Sequence, residues 1–579
     1  MLVSCRKVVA LLFALSMLVA VPASAGSKQP DRPSRVVIIV LDQARPDTID
    51  RYGMKNVQKL QHKGKNFPDA LVGHMAAETV ISHNVITSGL FPKHMGWTNE
   101  VYRDTNDVLG PRTAPPAPNY YITSSMSCDQ FKTLIANGHY KKIQDYLDDR
   151  FPGSNFASIA QKRTSACTSG HTEVTDPGDI IFQIRGSAAP LTPDPNDDPT
   201  LRVSCDGRSS WRQPETGNGP LPAYFDATAS CNRWWTWQGS GAYGTGTTSP
   251  ANIYPLDGDR FVPGFNPEHI GGDNWSADAA IRVIRNDPDW RGMMVSLGAI
   301  DKMGHMWGPE DTVTGPPGSN EQVSHLPFAA KNADEQVGRI VDTLKARGLL
   351  DDTLIVITAD HAAQTGRPFL GDLDPIVTNP PCSGIRSDCN WYFGKDADED
   401  YRDPSPAVEQ LRDALGGNLA FSYQDGHVAA WLVGNSPAQK QQAANAVLAM
   451  PGVIASYRLN AAQNNYDLSG TNPMTASDRR WWLGHAEELI DTMASPNGPD
   501  VVGLVATDVT YGVKGDHGGH NRLIQNIPMV FSGPGVNPKD SGREMRHVDV
   551  LPTILQAMGI AYNPSSLDGE AVDISEAKP

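Results

Sequence analysis

Acidic residues and a histidine stand at the ends of three apolar segments that are far apart in the chain. The segments RVVIIVLD, GMMVSLGAID and DTLIVITADH end at Asp42, Asp301 and Asp360–His361, respectively. Each is a continuous apolar run, which is typical of a strand buried on both faces of a parallel sheet. Ligands of open α/β sheets bind beyond the carboxyl ends of the strands, so we expect these side chains to meet there. Carboxylates mixed with imidazole favour a divalent ion such as zinc or manganese.

A single carboxylate at a strand end could equally be the cap of the next helix. Three such ends, one of which carries an adjacent histidine, are harder to explain as caps. Two further segments add histidines to the set. AIDKMGHMWGP places His305 four residues after Asp301, so a turn beyond the strand can direct both at one ion. GDHGGH contains His517 and His520, and its glycines allow close backbone approach to a ligand. The set is large enough for two metal sites.

Thr79 begins the segment TVISHNVITSGLFPKHMG, whose apolar part is followed by Ser-Gly and Phe-Pro pairs. This pattern is compatible with an ordinary helix and a turn, in which a threonine at the helix start is a cap. It is also compatible with a nucleophile that faces metal ions. Ser82 is a second hydroxyl in the same segment.

The elements that must position these residues follow an α/β order. Helical patterns begin at Ser276 and at Ala329, before the second and third apolar runs, and the latter helix is expected to stop at Gly348. VVGLVAT from Val501 and IPMVFSG from Ile527 are predicted as further strands. Helices that alternate with buried strands predict a mostly parallel sheet with helices on both faces.

Two segments interrupt this order. Residues from about 99 to 267 are rich in Pro, Gly, Ser and aromatic residues, and we interpret them as an insertion held by disulfides. The tryptophans of this segment, Trp234, Trp235 and Trp237, could be packed inside it or could form a ligand platform. A second insertion from about 406 to 460 is predicted as a small α+β unit, with the hairpin NLAFSYQ and HVAAWLV, the helix AQKQQAANAVLAM and the strand GVIASYRL.

The N-terminus and the cysteines indicate export. Residues 1–25 are predicted to be a signal peptide, with Arg6 and Lys7 before an apolar run and Ala-Ser-Ala before Gly26; an uncleaved membrane anchor is the alternative. We expect a secreted protein, extracellular or periplasmic, that does not contact the membrane after cleavage. Six cysteines follow the signal, an even number that indicates disulfides with fifteen possible pairings, and the most local pair is Cys382 with Cys389. No CxxC spacing supports a cysteine metal site.

The composition excludes some partners. The chain has 579 residues and a net charge of -16, which argues against broad binding to nucleic acid phosphates because those contacts need clustered Lys and Arg. An acidic enzyme can still act on phosphates if bound cations supply local positive charge.

In chain order, these motifs resemble the alkaline phosphatase superfamily, and most closely its nucleotide pyrophosphatase/phosphodiesterase branch. The resembling segments are LDQARPD, TVISHNVITSGLFPKHMG, DKMGHMWGP, TADH, GDHGG and HVDVLPTIL, between about Arg35 and Gly559. The resemblance implies an α/β fold, an alkaline phosphatase-like three-layer sandwich with a mostly parallel central sheet plus insertions, over residues 34–579.

The resemblance also implies roles for single residues. Thr79 falls at the nucleophile position, with Ser82 in reserve. Asn99 matches, after a one-residue gap, an asparagine that contacts a non-bridging phosphoryl oxygen; a solvated loop residue is the alternative. The implied cofactors are two divalent ions, zinc by resemblance, with manganese or calcium as alternatives. Their implied ligands are Asp42, Thr79, Asp360 and His361 for one ion and Asp301, His305 and His517 for the other, with His520 as the substitute for His517.

The activity implied is that of a secreted two-metal hydrolase, which cleaves phosphodiester or nucleotide pyrophosphate bonds of a small-molecule substrate through a phosphothreonine. Alkaline phosphomonoesterase is the alternative. A sulfatase is disfavoured because it needs Pro and Arg two and four residues after its nucleophile, where this chain has Ile81 and His83, and because Gln43 replaces the second acid of its first motif. A non-catalytic binding protein of the same fold is disfavoured because no expected ligand is missing.

Overall fold

The structure, a computed structural model, describes residues 32–123, 126–160, 162–170, 180–182, 270–310, 325–365, 367–368, 406–511 and 515–575. The predicted signal peptide, the tryptophan cluster and the cysteine pair Cys382–Cys389 lie outside the described residues, so these three predictions stay predictions.

A seven-stranded sheet forms the centre of the fold, in the order β2-β18-β8-β1-β7-β5-β6. The middle strand β1 pairs in parallel with β7 and β8, so that Ile38 lies between Met294 and Val356. β18 is antiparallel to β8 and to β2. Residues 36–41 of β1 are fully buried, which explains the continuous apolar run. The predicted mostly parallel sheet is confirmed. Its strands are β1 (Arg35–Leu41), β2 (Lys65–Asn66), β5 (Asn155–Ala160), β6 (Ile180–Phe182), β7 (Trp290–Leu297), β8 (Thr353–Thr358) and β18 (Met529–Ser532).

Helices pack in two groups, one in which α10 contacts α2 and α8, and another in which α3 contacts α7 and α15. The helices predicted from Ser276 and Ala329 begin earlier, and Gly348 has the left-handed φ of +69° expected after a helix end. The α-helices described are α1 (Pro46–Arg51), α2 (Lys55–Lys63), α3 (Thr79–Ser88), α4 (Pro92–Met95), α5 (Cys128–Gly138), α6 (Ile143–Arg150), α7 (Arg163–Ser169), α8 (Ile270–Asn286), α9 (Ala299–Trp307), α10 (His325–Ala346), α11 (Pro406–Leu415), α12 (Pro437–Leu448), α13 (Ala476–Asp491), α14 (Arg522–Gln525) and α15 (His547–Met558).

A second sheet of five antiparallel strands, in the order β11-β12-β15-β13-β14, belongs to the predicted α+β unit. The predicted hairpin is confirmed as β11 paired with β12. The unit continues beyond residue 460, because the strand predicted from Val501 is β15, which lies between β12 and β13. The strands are β11 (Leu419–Gln424), β12 (His427–Leu432), β13 (Val453–Asn460), β14 (Asn465–Thr471) and β15 (Val501–Val505).

The interpretation of residues 99–267 as a single insertion is corrected where the structure describes them. β3 (Val101–Asp104) and β4 (Asn119–Ile122) form a separate hairpin, but β5 lies in the central sheet beside β7. The β5 sequence NFASIA is short and contains small and polar residues, so it lacks the β-branched run that marks the other central strands. A disulfide joins Cys128 of α5 to Cys167 of α7, with a Cα–Cα distance of 5.2 Å.

Two short strand pairs connect the chain that follows β8 of the central sheet to the chain that follows β15 of the second sheet. β9 (Gln364–Thr365) pairs with β17 (Gly515–Asp516), and β10 (Arg367–Pro368) pairs with β16 (Val509–Thr510). The first pair places the glycine-rich loop at 515–520 next to the chain that leaves β8.

Candidate functional site

Segments that follow three central strands bring acidic and histidine side chains together. Asp42 follows β1 directly, and Asp360 and His361 follow β8; all three are fully buried. Asp301 differs from the prediction in detail, because β7 ends at Leu297 and Asp301 lies in the first turn of α9. The carboxyl-end arrangement expected for a parallel sheet is therefore present, with one ligand supplied by a helix instead of a strand end.

Helix α9 explains the spacing of Asp301 and His305. Residues four apart lie on the same helix face, and His305 Nε2 is 2.9 Å from Asp301 Oδ1. His517, directly after β17, reaches the same place: its Nε2 is 3.2 Å from His305 Nε2 and 3.8 Å from Asp301 Oδ1. The helical period, not a turn beyond a strand, thus directs both α9 side chains at one point.

The side chains form two groups that share His361. Ligand atoms of Asp42, Asp360 and His361 lie within 4.8 Å of one another, and so do those of Asp301, His361 and His517. His305 adjoins the second group through its contacts with Asp301 and His517. All the predicted Asp and His metal ligands therefore meet at one end of the central sheet.

His520 does not join either group among the described residues. Its ring is buried, and burial lowers the pKa of His520 to about 4, with Asp478, His427 and His485 as its charged or titratable neighbours. The glycine-rich loop thus directs its two histidines to different places, and the structure favours His517 over the substitute ligand.

The donor set fits divalent cations. Asp42 Oδ1 and Asp360 Oδ2 are buried and accept no hydrogen bond from the described residues. Burial, together with the neighbouring carboxylates of Asp301 and Asp360, raises the pKa of Asp42 well above its ordinary value. The negative charges of the three carboxylates are therefore not balanced by the positive charge around them. Carboxylate oxygens and imidazole nitrogens that converge in this way are ligands that zinc and manganese accept.

Lys162 is a site residue that the sequence analysis missed. Its Nζ is 2.7 Å from Asp42 Oδ2, 2.5 Å from Asp301 Oδ2 and 3.5 Å from Thr79 Oγ1. Burial disfavours its charge, but Asp301, Asp42 and Asp360 outweigh that effect and raise the pKa of Lys162. Lys162 stands just before α7, and nothing in the spacing of the surrounding sequence distinguishes it from a surface lysine.

Thr79 is the first residue of α3, and the preceding Glu78 occupies the cap position without a side-chain cap bond. The Thr79 hydroxyl is instead 3.1 Å from His361 Nε2, the imidazole shared by the two groups. Ser82, the reserve nucleophile, is fully buried, and its hydroxyl contacts His74 at 3.4 Å. Of the two hydroxyls, only that of Thr79 faces the candidate metal ligands.

Asn99 is fully buried, so the alternative of a solvated loop residue does not hold. Its Nδ2 is 2.9 Å from His427 Nε2, and its Oδ1 accepts a hydrogen bond from Val101 N. The next residue, Glu100, donates its backbone N–H to Glu78 Oε2, which ties this segment to the start of α3.

Gln43 and Gly304 support the two groups. Gln43 donates its backbone N–H to Asp360 Oδ1 and its Nε2 to Asp301 Oδ1, and it does so with a left-handed φ of +66°. A Cβ at Gly304 would lie 1.7 Å from Gln43 Oε1, so the glycine in DKMGH leaves room for this side chain. Gln43, which replaces a second acid in the first motif, is therefore a hydrogen-bond donor that orients a ligand.

Comparisons with known proteins give one family match and several similar folds. The family model of type I phosphodiesterase/nucleotide pyrophosphatase matches residues 36–127 and 233–408. Among solved structures, a mutant of the alkaline phosphatase PafA is 13% identical with a TM-score of 0.58, and the wild-type enzyme is 15% identical with a TM-score of 0.54; each alignment covers 93% of this chain and 98% of that chain. Murine ectonucleotide pyrophosphatase/phosphodiesterase 5 is 10% identical with a TM-score of 0.50, over 93% of this chain and 97% of that one. No curated protein sequence matches significantly.

The chain therefore has the fold of the alkaline phosphatase superfamily and resembles its nucleotide pyrophosphatase/phosphodiesterase branch, as the motifs indicated. The family match and the fold together support a phosphoric ester hydrolase, of the phosphodiesterase/pyrophosphatase or the phosphatase kind. None of the described helices is long and apolar enough to cross a membrane.

Proposed function

We propose that this protein is a two-metal hydrolase of phosphate esters with Thr79 as its nucleophile. The observation that carries the proposal is the Thr79 hydroxyl, 3.1 Å from the His361 imidazole that two candidate metal groups share. Asp42, Asp360 and His361, with Thr79, would hold one ion. Asp301, His305 and His517 would hold the other.

The chain's own groups account for the chemistry around that centre. Thr79 Oγ attacks the phosphorus and loses its proton, and the bond from phosphorus to the leaving-group oxygen breaks. The leaving-group oxygen takes up a proton from solvent in exchange, and a phosphothreonine results. Water then attacks this phosphorus and restores the Thr79 hydroxyl. Two divalent ions, when bound, supply stabilisation of the charge on the attacking and leaving oxygens. The N-terminus of α3, which begins at Thr79, adds the N–H groups of its first turn and a positive dipole end beside the anionic group.

For the substrate we propose phosphodiesters or nucleotide pyrophosphates of small molecules. The match to the type I phosphodiesterase/nucleotide pyrophosphatase family supports this class. Alkaline phosphomonoesterase is the second candidate, and a specific observation favours it. A phosphomonoester dianion carries one more negative charge than a diester, and Lys162 places a cation 3.5 Å from Thr79 Oγ1.

The nucleophile is tested by Thr79→Ala. We expect turnover to fall more than about 10³-fold, because the Thr79 hydroxyl lies beside the His361 imidazole that both candidate metal groups share, while the metal content persists. Ser82→Ala is the matched control, a buried hydroxyl of the same helix, and it should retain near wild-type turnover. If Thr79→Ala stays active and Ser82→Ala does not, the nucleophile is Ser82.

The metal requirement is tested by elemental analysis and chelation. We expect about two divalent ions per chain, loss of activity on chelation and recovery with zinc. Full activity in metal-free protein would exclude the proposed chemistry. Parallel reconstitution with manganese and calcium identifies the ion that gives the highest turnover.

The substrate class is tested with bis(p-nitrophenyl) phosphate and p-nitrophenyl phosphate on the wild type and on Lys162→Ala. The diester proposal predicts a kcat/KM at least about tenfold higher for the diester, a preference that needs only about 1.4 kcal/mol of differential transition-state binding. If the monoester wins by that margin and Lys162→Ala removes the preference, the protein is a phosphomonoesterase.

We propose that the mature protein is secreted, extracellular or periplasmic, on the strength of the signal-like residues 1–25. Sequencing the N-terminus of exported protein checks this, and the expected first residue is Gly26.

A further inference from the structure

The side chain of Asn99 is held by a residue from the second sheet. His427 is the first residue of β12, it is fully buried, and its Nε2 lies 2.9 Å from Asn99 Nδ2. The two residues are 328 positions apart in the chain. The contact therefore connects the α+β unit to the segment that follows α3 and α4.

The chemistry of this contact determines the state of the histidine. An amide nitrogen only donates hydrogen bonds, so His427 Nε2 must be unprotonated to accept from it. The imidazole hydrogen then resides on Nδ1. Burial lowers the pKa of His427 to about 4, which keeps the ring neutral near neutral pH, and the ring also interacts with the Gly518 backbone.

Hydrogen bonds of the residues next to Asn99 and His427 connect this pair to two segments, one that carries Thr79 and one that carries His517. On one side, Glu100 N donates to Glu78 Oε2, next to Thr79. On the other side, Gly426 N donates to the His517 carbonyl at 2.6 Å. The loop at 515–520 is itself joined to the start of α3, because Gly518 N donates to Ala77 O. Asn99 and His427 thus belong to one hydrogen-bonded frame around the site.

We propose that His427 is a positioning residue that orients the Asn99 amide toward a non-bridging oxygen of the phosphoryl group. The Asn99 amide carries two N–H donors; one is directed at His427, and the other remains to donate to the substrate. The side-chain oxygen of Asn99, Oδ1, accepts a hydrogen bond from Val101 N. Both the nitrogen and the oxygen of the side-chain amide are therefore held before substrate binds. A donor held in this way stabilises transition-state charge without reorganisation. The inference rests on the proposed function, because Asn99 is assigned there to a phosphoryl oxygen only by resemblance.

A double-mutant cycle tests the proposal with metal-loaded protein and whichever nitrophenyl ester is cleaved faster. Asn99→Ala should lower kcat/KM about 100-fold, the usual effect of removing one such donor. His427→Leu should lower it about tenfold or more, because the amide is no longer held in place. The double variant should equal Asn99→Ala alone if His427 acts through Asn99, whereas an effect passed on through its contact with the Gly518 backbone would persist in the Asn99→Ala background. Multiplicative effects, or an Asn99→Ala variant with wild-type kcat/KM, would overturn the proposal.

Two further variants separate positioning from folding. His427→Gln keeps an acceptor oxygen toward Asn99 and should stay within about threefold of wild type; a folded His427→Gln that is as slow as His427→Leu counts against the proposal. Val428→Ala, a neighbouring buried position whose side chain belongs to the apolar core of the α+β unit, is the matched control and should be multiplicative with Asn99→Ala.

Inorganic phosphate provides a readout besides turnover. Calorimetry on the metal-loaded proteins should show weaker phosphate binding in Asn99→Ala and in His427→Leu, with no further loss in the double variant. Thr79→Ala distinguishes the two levels of failure. If Thr79→Ala is inactive but the cycle shows no coupling, only the role of His427 is wrong; if Thr79→Ala is active, the proposed function itself is wrong.

Discussion

Single residues around the site have roles that their types alone do not reveal. Gly304 is inside a helix, where glycine is ordinarily unfavourable relative to alanine, yet its missing Cβ leaves the space that Gln43 occupies. Gln43 in turn donates to Asp301 and Asp360, one acid from each candidate metal group. The missing Cβ of Gly304 and the Gln43 amide therefore act together to orient the carboxylates of Asp301 and Asp360.

Gly304→Ala is expected to weaken metal binding. The new methyl group would overlap the Gln43 amide and displace its hydrogen bond to Asp301, and loss of such an outer contact typically lowers metal affinity about 10- to 100-fold. Titration of apo-protein with zinc measures the effect. Gly484→Ala is the matched control, a glycine of helix α13 with no atom near the added Cβ, and it should be neutral or slightly stabilising. Equal zinc affinity in both variants would contradict the role of Gly304.

His520 makes stability depend on pH in a defined direction. Its pKa is about 4 in the fold, below the ordinary value of about 6.5, so the unfolded chain binds the proton first and stability falls as pH drops through this window. Between pH 7 and pH 5 the wild type should lose about 2 kcal/mol more unfolding free energy than His520→Gln. Urea unfolding at both pH values measures this difference. If the wild type and His520→Gln lose equal unfolding free energy between pH 7 and pH 5, folding does not lower the pKa of His520.

Among the elements, helix α7 is tied to its neighbours by a disulfide and follows directly on a residue of the site. Lys162 directly precedes it and points into the site, and Cys167 in the same helix is bonded to Cys128 of α5. A disulfide stabilises mainly by restricting the unfolded chain, and a separation of 39 residues corresponds to about 4 kcal/mol in the chain-entropy model.

Replacing both cysteines by alanine should therefore lower the free energy of unfolding by up to about 4 kcal/mol, measured in denaturant without reductant. Because α7 also packs against α3 and β5, we expect the variant to fold and to keep the Lys162 contacts. An unfolding free energy equal to that of the wild type would indicate that this pair is reduced in the isolated protein.

At the scale of the whole molecule, the candidate metal groups join parts that are distant in sequence. Ligands come from the ends of β1 and β8, from α9 and from the loop after β17, so binding of ions requires most of the central fold. The buried carboxylates of Asp42, Asp301 and Asp360 also repel one another. Lys162 supplies a positive charge that interacts with all three.

Metal loading should consequently stabilise the protein. A ligand that binds only the folded state at about 1,000 times its Kd adds about 4 kcal/mol to the free energy of unfolding. Thermal unfolding with zinc and with chelator measures the shift. A melting temperature that is unaffected by chelation would contradict ion binding at this site.

Sequence patterns predict most strands of the central sheet, the alternation of helices with strands, and the Asp and His side chains that meet at one end of the sheet. Continuous apolar runs predict strands buried on both faces, and the acids at their ends lie at a common edge because parallel strands share direction. Asp42, Asp360 and His361 were predictable for that reason. The i,i+4 spacing of Asp301 and His305 carries the same information within a helix, although the sequence analysis assigned it to a turn.

Contacts that depend on packing between distant segments have no counterpart in local sequence patterns and follow from the three-dimensional fold. Lys162 and His427 have no motif or period of their own. Lys162 reaches Asp42 because of the position of the chain before α7, and His427 reaches Asn99 because of the position of the start of β12. The choice of His517 over His520 depends in the same way on which strand the loop pairs with. Local sequence patterns indicate burial and helical or strand period. A contact between side chains that are 100 or more residues apart, such as Lys162 with Asp301, depends instead on how whole layers pack.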